Sequence, residues 1–211
     1  MLTGFVHNRK SISLLANSDI PIVEMWDYGR SGLDMVVGFS HHTCGRLVAE
    51  HMASKGYRNT AFISTNFQRD IRAGDRYQGF REGMAAVGGR VELRELSGRS
   101  HAEETGRLVR ELIIIYPQIE AIACSNDMVA LGVMFECQRQ GWSIPNRIAV
   151  AGFGNQDFTA NTLPPMTTIE PPRQAIGKHI ARLLLARLND NLPEDKIQLD
   201  LGVRLIMRES A

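Results

Sequence analysis

One stretch limits what this chain can fold into more than any other. It is residues 121–157, AIACSNDMVALGVMFECQRQGWSIPNRIAVAGFGNQD. Residues 119–124 form a short apolar run, suited to a strand covered on both faces. Ser125, Asn126 and Asp127 follow, and their short polar side chains can accept from the open N–H groups of a helix start. Asp127 is read as the cap and no more. Met128, Leu131, Gly132 and Phe135 recur at helical spacing, with Val129 and Val133 on another face, so the predicted helix is largely enclosed. Gly141 stops it. Residues 148–153 are the next apolar run, and Gly152-Phe153-Gly154-Asn155 turns the chain out of it. A parallel sheet binds ligands beyond the carboxyl ends of its strands. Asn126 and the turn after Phe153 fall at such ends and are the first candidate contacts.

The same alternation runs through the chain. Strands are expected at 2–6, 20–25, 33–38, 60–64, 91–96 and 203–207. Helices are expected at 8–16, after Ser40-His41-His42-Thr43 through Lys55, along the stripe Tyr77, Phe80, Met84 and Val87, after Ser100 with Leu108, Val109 and Leu112, and along Ile176, Ile180, Leu183 and Leu184. This pattern predicts an α/β fold with mainly parallel sheets flanked by helices. Irregular joints at 38–40 and 163–169 suit a chain that crosses between two lobes and returns. The chain opens directly on a strand and is expected to begin inside a domain.

Charge narrows the function. Lys plus Arg is 24 against 23 for Asp plus Glu, a net of +1, which gives no support to direct nucleic-acid or membrane binding by this piece. The 3 cysteines have no metal-ligand spacing and read as reduced, buried thiols of a cytoplasmic protein. No apolar run approaches the roughly 20 residues that span a bilayer. His101, Glu103, Asp127 and Asp157 could serve acid–base chemistry. A phosphate-cradling loop, metal spacing and a nucleophile elbow are all missing, so neither an enzyme nor a cofactor is expected.

Five motifs then occur in order: Ile22-Val23-Glu24-Met25; Arg76-Tyr77-Gln78-Gly79-Phe80; Ala123-Cys124-Ser125-Asn126-Asp127 with Ala130-Leu131-Gly132; Val150-Ala151-Gly152-Phe153; and Pro165-Met166-Thr167-Thr168-Ile169 followed by Gly177. Together they cover nearly the whole chain. It resembles the effector-binding core of LacI/GalR-type bacterial transcription regulators, which share the two-lobed fold of periplasmic sugar-binding proteins. The resemblance implies a partial N-terminal lobe at 1–39 and 169–192, a C-terminal lobe at 40–168 and 193–211, and a cleft between them. It implies a small-molecule effector, a homodimer, and operator DNA bound through a helix-turn-helix preceding Met1 rather than through this piece. A periplasmic solute-binding protein of the same fold is the alternative, and a signal sequence or a helix-turn-helix in the full gene would separate the two.

By that resemblance Arg76 is a cleft arginine that binds effector at the start of a helix, where the dipole adds to its field. A planar guanidinium grips a carboxylate or vicinal hydroxyls; the bland alternative is a solvated helix arginine. Arg72 is close to a ligand-contact position, or else pairs with Asp70 or Asp75; Arg69 reads as solvated. Asn126 suits a hydroxyl, or is a plain cap. His101 falls where relatives pack an aromatic on the ligand, or is exposed. Trp26 is a cleft wall, or core. Arg173 aligns with another cleft position. Gly154 departs from the family, since many sugar- and purine-binding relatives carry an aspartate there. Loss of that carboxylate, with Arg72, Arg76 and Arg173 gathered nearby, points to a negatively charged ligand. The turn itself resembles the gluconate-responsive branch of the family.

Overall fold

The computed structural model of the chain describes residues 1–18, 20–68, 70–97, 102–192 and 196–211. His101, Arg69 and Ser100 lie outside the described residues. The elements run β1 (Leu2–Thr3), α1 (Arg9–Ala16), β2 (Val23–Met25), β3 (Met35–Gly38), α2 (His41–Ser54), β4 (Asn59–Ser64), α3 (Ile71–Ala85) and β5 (Arg90–Glu95). They continue with α4 (Ala102–Ile115), β6 (Ala121–Cys124), α5 (Asp127–Gln140), β7 (Ala149–Phe153), a 3-10 turn at Asp157–Asn161, β8 (Thr167–Glu170), α6 (Arg173–Leu188), β9 (Ile197–Asp200) and β10 (Arg204–Ile206). The fold is α/β with mainly parallel sheets, as the alternation predicts.

The described residues divide into two compact units, Met1–Ser40 with Pro171–Val203, and His41–Glu170 with Arg204–Ala211. The first holds a parallel sheet of order β1-β2-β3-β9. Asn8 caps α1 by accepting from the Ser11 N–H at 2.8 Å. Val23, Met35, Val36 and Val37 are buried, and α6 buries Ile176, Ile180 and Leu183. Residues 197–200 were expected in the other lobe. They pair in parallel with Met35–Gly38, so the first unit is where they belong. Ile169 and Glu170 were expected in the first lobe, but they end β8 of the second sheet.

The second sheet has the order β10-β8-β7-β6-β4-β5, with only β10 antiparallel. Strand alternation puts neighbouring residues on opposite faces. Ala61 and Ile63 of β4 join the core of α4 and α5, which includes Val109, Leu112, Val129 and Val133. Phe62 turns the other way, its ring centroid 5.7 Å from that of Phe80 on α3. The inward face of α5 is Val129, Ala130, Val133, Met134 and Cys137. Met128 and Phe135 were expected inside, yet are 51% and 41% exposed. Both faces carry apolar residues, so spacing alone could not say which one meets the sheet. At the far end of the chain, Ser210 Oγ donates to the Val150 carbonyl at 2.6 Å and accepts from the Thr167 N–H at 2.8 Å. The Val150 N–H donates to the Ser210 carbonyl at 2.7 Å.

α2 and α3 meet backbone to backbone. A Cβ on Gly45 would stand 1.8 Å from the Arg76 carbonyl oxygen, and one on Gly79 would stand 1.9 Å from that of His42. Only hydrogen fits at either place. Gly45→Ala is therefore expected to cost about 1–3 kcal/mol by overpacking. Gly177, exposed on α6 with nothing within 4 Å of an added Cβ, behaves oppositely: Gly177→Ala should gain about 0.5–1 kcal/mol from helix propensity. Urea unfolding of the two variants checks both signs.

Candidate functional site

β4, β6 and β7 are neighbours running the same way, so their carboxyl ends open at one edge of the second sheet. They deliver Ser64 and Thr65, Ser125 and Asn126, and Phe153 and Gly154. Ser125 Oγ accepts from the Thr65 N–H at 3.2 Å and ties two of these ends together. The Ser64 and Thr65 hydroxyls are buried without a hydrogen-bond partner. Such atoms are uncommon in a folded chain, and each calls for an explanation.

The cap read for Asp127 belongs instead to its neighbour. Asn126 is the cap, its Oδ1 accepting from the Val129 N–H at 2.9 Å. Its Nδ2 makes no hydrogen bond among the described residues. Asp127 is 1% exposed and is not the cap. Its Oδ2 accepts from the Gln156 N–H at 2.8 Å and its Oδ1 from the Thr168 hydroxyl at 2.6 Å. A Cβ on Gly152 would stand 2.4 Å from Asp127 Oδ1, and one on Gly154 would stand 3.0 Å from Oδ2. Gly154 also has φ +134, a conformation that L side chains rarely adopt. An aspartate at 154 would thus meet strain, crowding and a like charge at once. The edge is also not free of carboxylates, since Asp127 lies directly beneath the turn.

Arg76 lies in the second turn of α3, not at its start, so the helix dipole contributes little to it. It is 5% exposed. Its Nη1 is 2.8 Å from His41 Nδ1, its Nη2 donates to Asp70 Oδ2 at 3.3 Å, and its guanidinium carbon lies 4.2 Å from the Phe153 ring centroid. Nε is buried with no hydrogen-bond partner. A guanidinium only donates, so His41 Nδ1 accepts, which places the imidazole proton on Nε2 and leaves the ring neutral. Burial pushes the Arg76 pKa below its ordinary value and Asp70 pulls it back up; arginine keeps its charge nonetheless.

Asp70 also caps α3, its Oδ1 accepting from the Ala73 N–H at 3.1 Å. Arg72 Nε stands 3.8 Å from that same oxygen, which is the pairing left open for Arg72 in the sequence. Trp26 and Arg173 belong to the first unit. Trp26 takes φ 70 at the end of β2, donates its N–H to the Val37 carbonyl at 3.2 Å and meets the Phe39 ring edge-on at 5.9 Å. Arg173 is the exposed first residue of α6. Sequence reasoning missed His41, Asp70 and Phe153 as neighbours of Arg76. No periodicity links them, since they come from a helix start, a cap and a strand end. Among the described residues no group of acidic, His and Cys side chains is arranged to hold a metal ion. Among the same residues no helix is long and apolar enough to cross a membrane.

Residues 49–211 match the family model described as a periplasmic binding protein-like domain. The chain is 35% identical over 213 residues to the HTH-type transcriptional regulator GntR of Pseudomonas aeruginosa, covering 100% of this chain and 61% of that protein. It is 30% identical over 206 residues to the regulator of the same name from Escherichia coli K12, covering 97% and 61%. The chain therefore spans 61% of the length of these curated relatives. The crystal structure of the transcription regulator GntR from Chromobacterium violaceum superposes with a TM-score of 0.88 at 30% identity, covering 99% of this chain and 76% of that one.

The bonding of Asp127 predicts an asymmetry between two adjacent residues. Asp127→Ala strips the acceptor from the buried Thr168 hydroxyl and from the part-buried Gln156 N–H and should cost about 2–3 kcal/mol. Asn126→Ala removes a cap alone and should cost about 1 kcal/mol. Chemical denaturation of both variants measures the difference.

Proposed function

Because the chain belongs to the periplasmic binding protein-like family and is a LacI-type effector-binding core resembling the GntR regulators, we propose that it senses a small sugar acid, gluconate or a close relative, for a transcription regulator acting as a repressor. The observation that carries this reading is Arg76. It is a buried cation stacked on an aromatic ring, with one N–H unpartnered and an acidic partner only at 3.3 Å. In a site of low dielectric, a ligand carboxylate on this guanidinium gains charge-assisted hydrogen bonds. A neutral sugar leaves the charge under-satisfied. Asn126, with Nδ2 donors to spare, serves hydroxyls common to both ligands. Gly154 keeps a second carboxylate out of the turn. The relatives described above are all transcription regulators by name, which favours sensing over catalysis.

In this reading the full-length protein is a cytoplasmic homodimer, because symmetric operators call for two-fold proteins. Effector binding and operator binding are then linked, each altering the affinity for the other by the same factor. Calorimetry on the full-length protein tests the ligand. Gluconate should bind at least about tenfold tighter than glucose, the factor that one unpaired buried polar group commands. A gap under about threefold, roughly 0.6 kcal/mol, ends the sugar-acid reading. Arg76→Ala should remove most of the gap, and Asn126→Ala should weaken both ligands alike.

A further inference from the structure

We propose that Asp70 is a built-in counter-ion of Arg76, which the carboxylate of an incoming effector displaces. This rests on the sugar-acid reading above and adds how the site is held before the ligand arrives. The geometry shows a carboxylate that cannot satisfy its arginine. Asp70 Oδ1 is committed to the Ala73 N–H at 3.1 Å and stands 3.8 Å from Arg72 Nε, so only Oδ2 is available to Arg76. That contact, at 3.3 Å, is longer than the 2.7–2.9 Å typical of a charge-assisted N–H···O bond. Nε and Nη2 share one edge of the guanidinium, the edge that a carboxylate grips with both oxygens. Here Nη2 has half a partner and Nε, buried, has none.

Asp70 could turn both oxygens to that edge only by uncapping α3. A free carboxylate has no such tether and can take Nε and Nη2 together. The exchange is local. Nη1 stays on His41 Nδ1 at 2.8 Å, and the guanidinium stays over Phe153. The Asp70 side chain is 28% exposed, against 6% for that of Arg76, so Oδ2 can turn to water while Oδ1 keeps the cap and the Arg72 neighbour. A neutral sugar has no charge with which to drive this replacement, and Asp70 stays where it is. Asp70 thereby sets the threshold that an anion must pass.

Calorimetric titration of full-length wild-type protein and Asp70→Asn with sodium gluconate and with glucose tests the inference. Asparagine keeps a capping oxygen and removes the competing charge. The ratio of gluconate to glucose affinity should rise by about threefold or more, the scale of one partly exposed ion pair. A ratio that is unchanged or lower, with gluconate still binding, overturns the inference and leaves the sugar-acid reading standing. Failure of gluconate to bind either protein overturns both. Asp70→Ser, which also caps a helix without charge, must move the ratio in the same direction. If one of the two variants misfolds, the other decides the matter, and an unmoved ratio in the serine variant is equally fatal.

Discussion

The buried carboxylate of Asp127 is the contact on which the carboxyl edge of the second sheet depends. It holds the turn after β7 through the Gln156 N–H and the strand β8 through the Thr168 hydroxyl. Gly152 and Gly154 are the only shapes that fit around it, because a side chain on either would press on its oxygens. Phe153 lies between these two glycines, and Arg76 lies on Phe153. The position of the buried Arg76 thus traces back to an acid that no ligand need touch. Breaking a buried, hydrogen-bonded charge costs more than its net contribution to stability, since the donors left behind lose both partner and water.

A second support comes from the other side. The glycine contacts of α2 and α3 bring their backbones together, and His41 and Arg76 stand next to that crossing. A neutral imidazole is well suited to this position. It gives the guanidinium an acceptor without neutralising it, so the positive field remains available at the sheet edge. Asp70 offsets that field in part, and its capping duty limits how much.

Much of the fold was legible in the sequence. Apolar runs of strand length alternating with capped, periodic stretches forced an α/β chain with parallel sheets, and Asn8, Gly141 and the run before Asn126 ended elements close to where the caps stand. What failed had physical reasons. β9 reads Ile-Gln-Leu-Asp and is half exposed, too short and polar to signal a strand. Either face of α5 could have faced inward, and packing against α4 and the sheet chose Val129 and Val133 over Met128 and Phe135. At the site, spacing places polar residues at the strand ends without showing what each one bonds to. Asn126 and Asp127 both qualify as caps, and only the distance to Thr168 and Gln156 separates them. The partners of Arg76 come from α2, α3 and β7, which sequence spacing cannot bring together.

The pairing of β10 with β8, and of Ser210 with Val150 and Thr167, has a bearing on synthesis. Residues 204–211 complete the second unit, yet the ribosome makes them only after residues 171–203 of the first. A nascent chain therefore carries the second sheet with an unclosed edge at β8 while the rest of the first unit emerges. At roughly 5–20 residues per second this window lasts seconds. An unpaired strand edge invites wrong partners. The vulnerable interval in the life of this protein is thus on the ribosome, where the last strand is the lock on a unit begun more than 150 residues earlier.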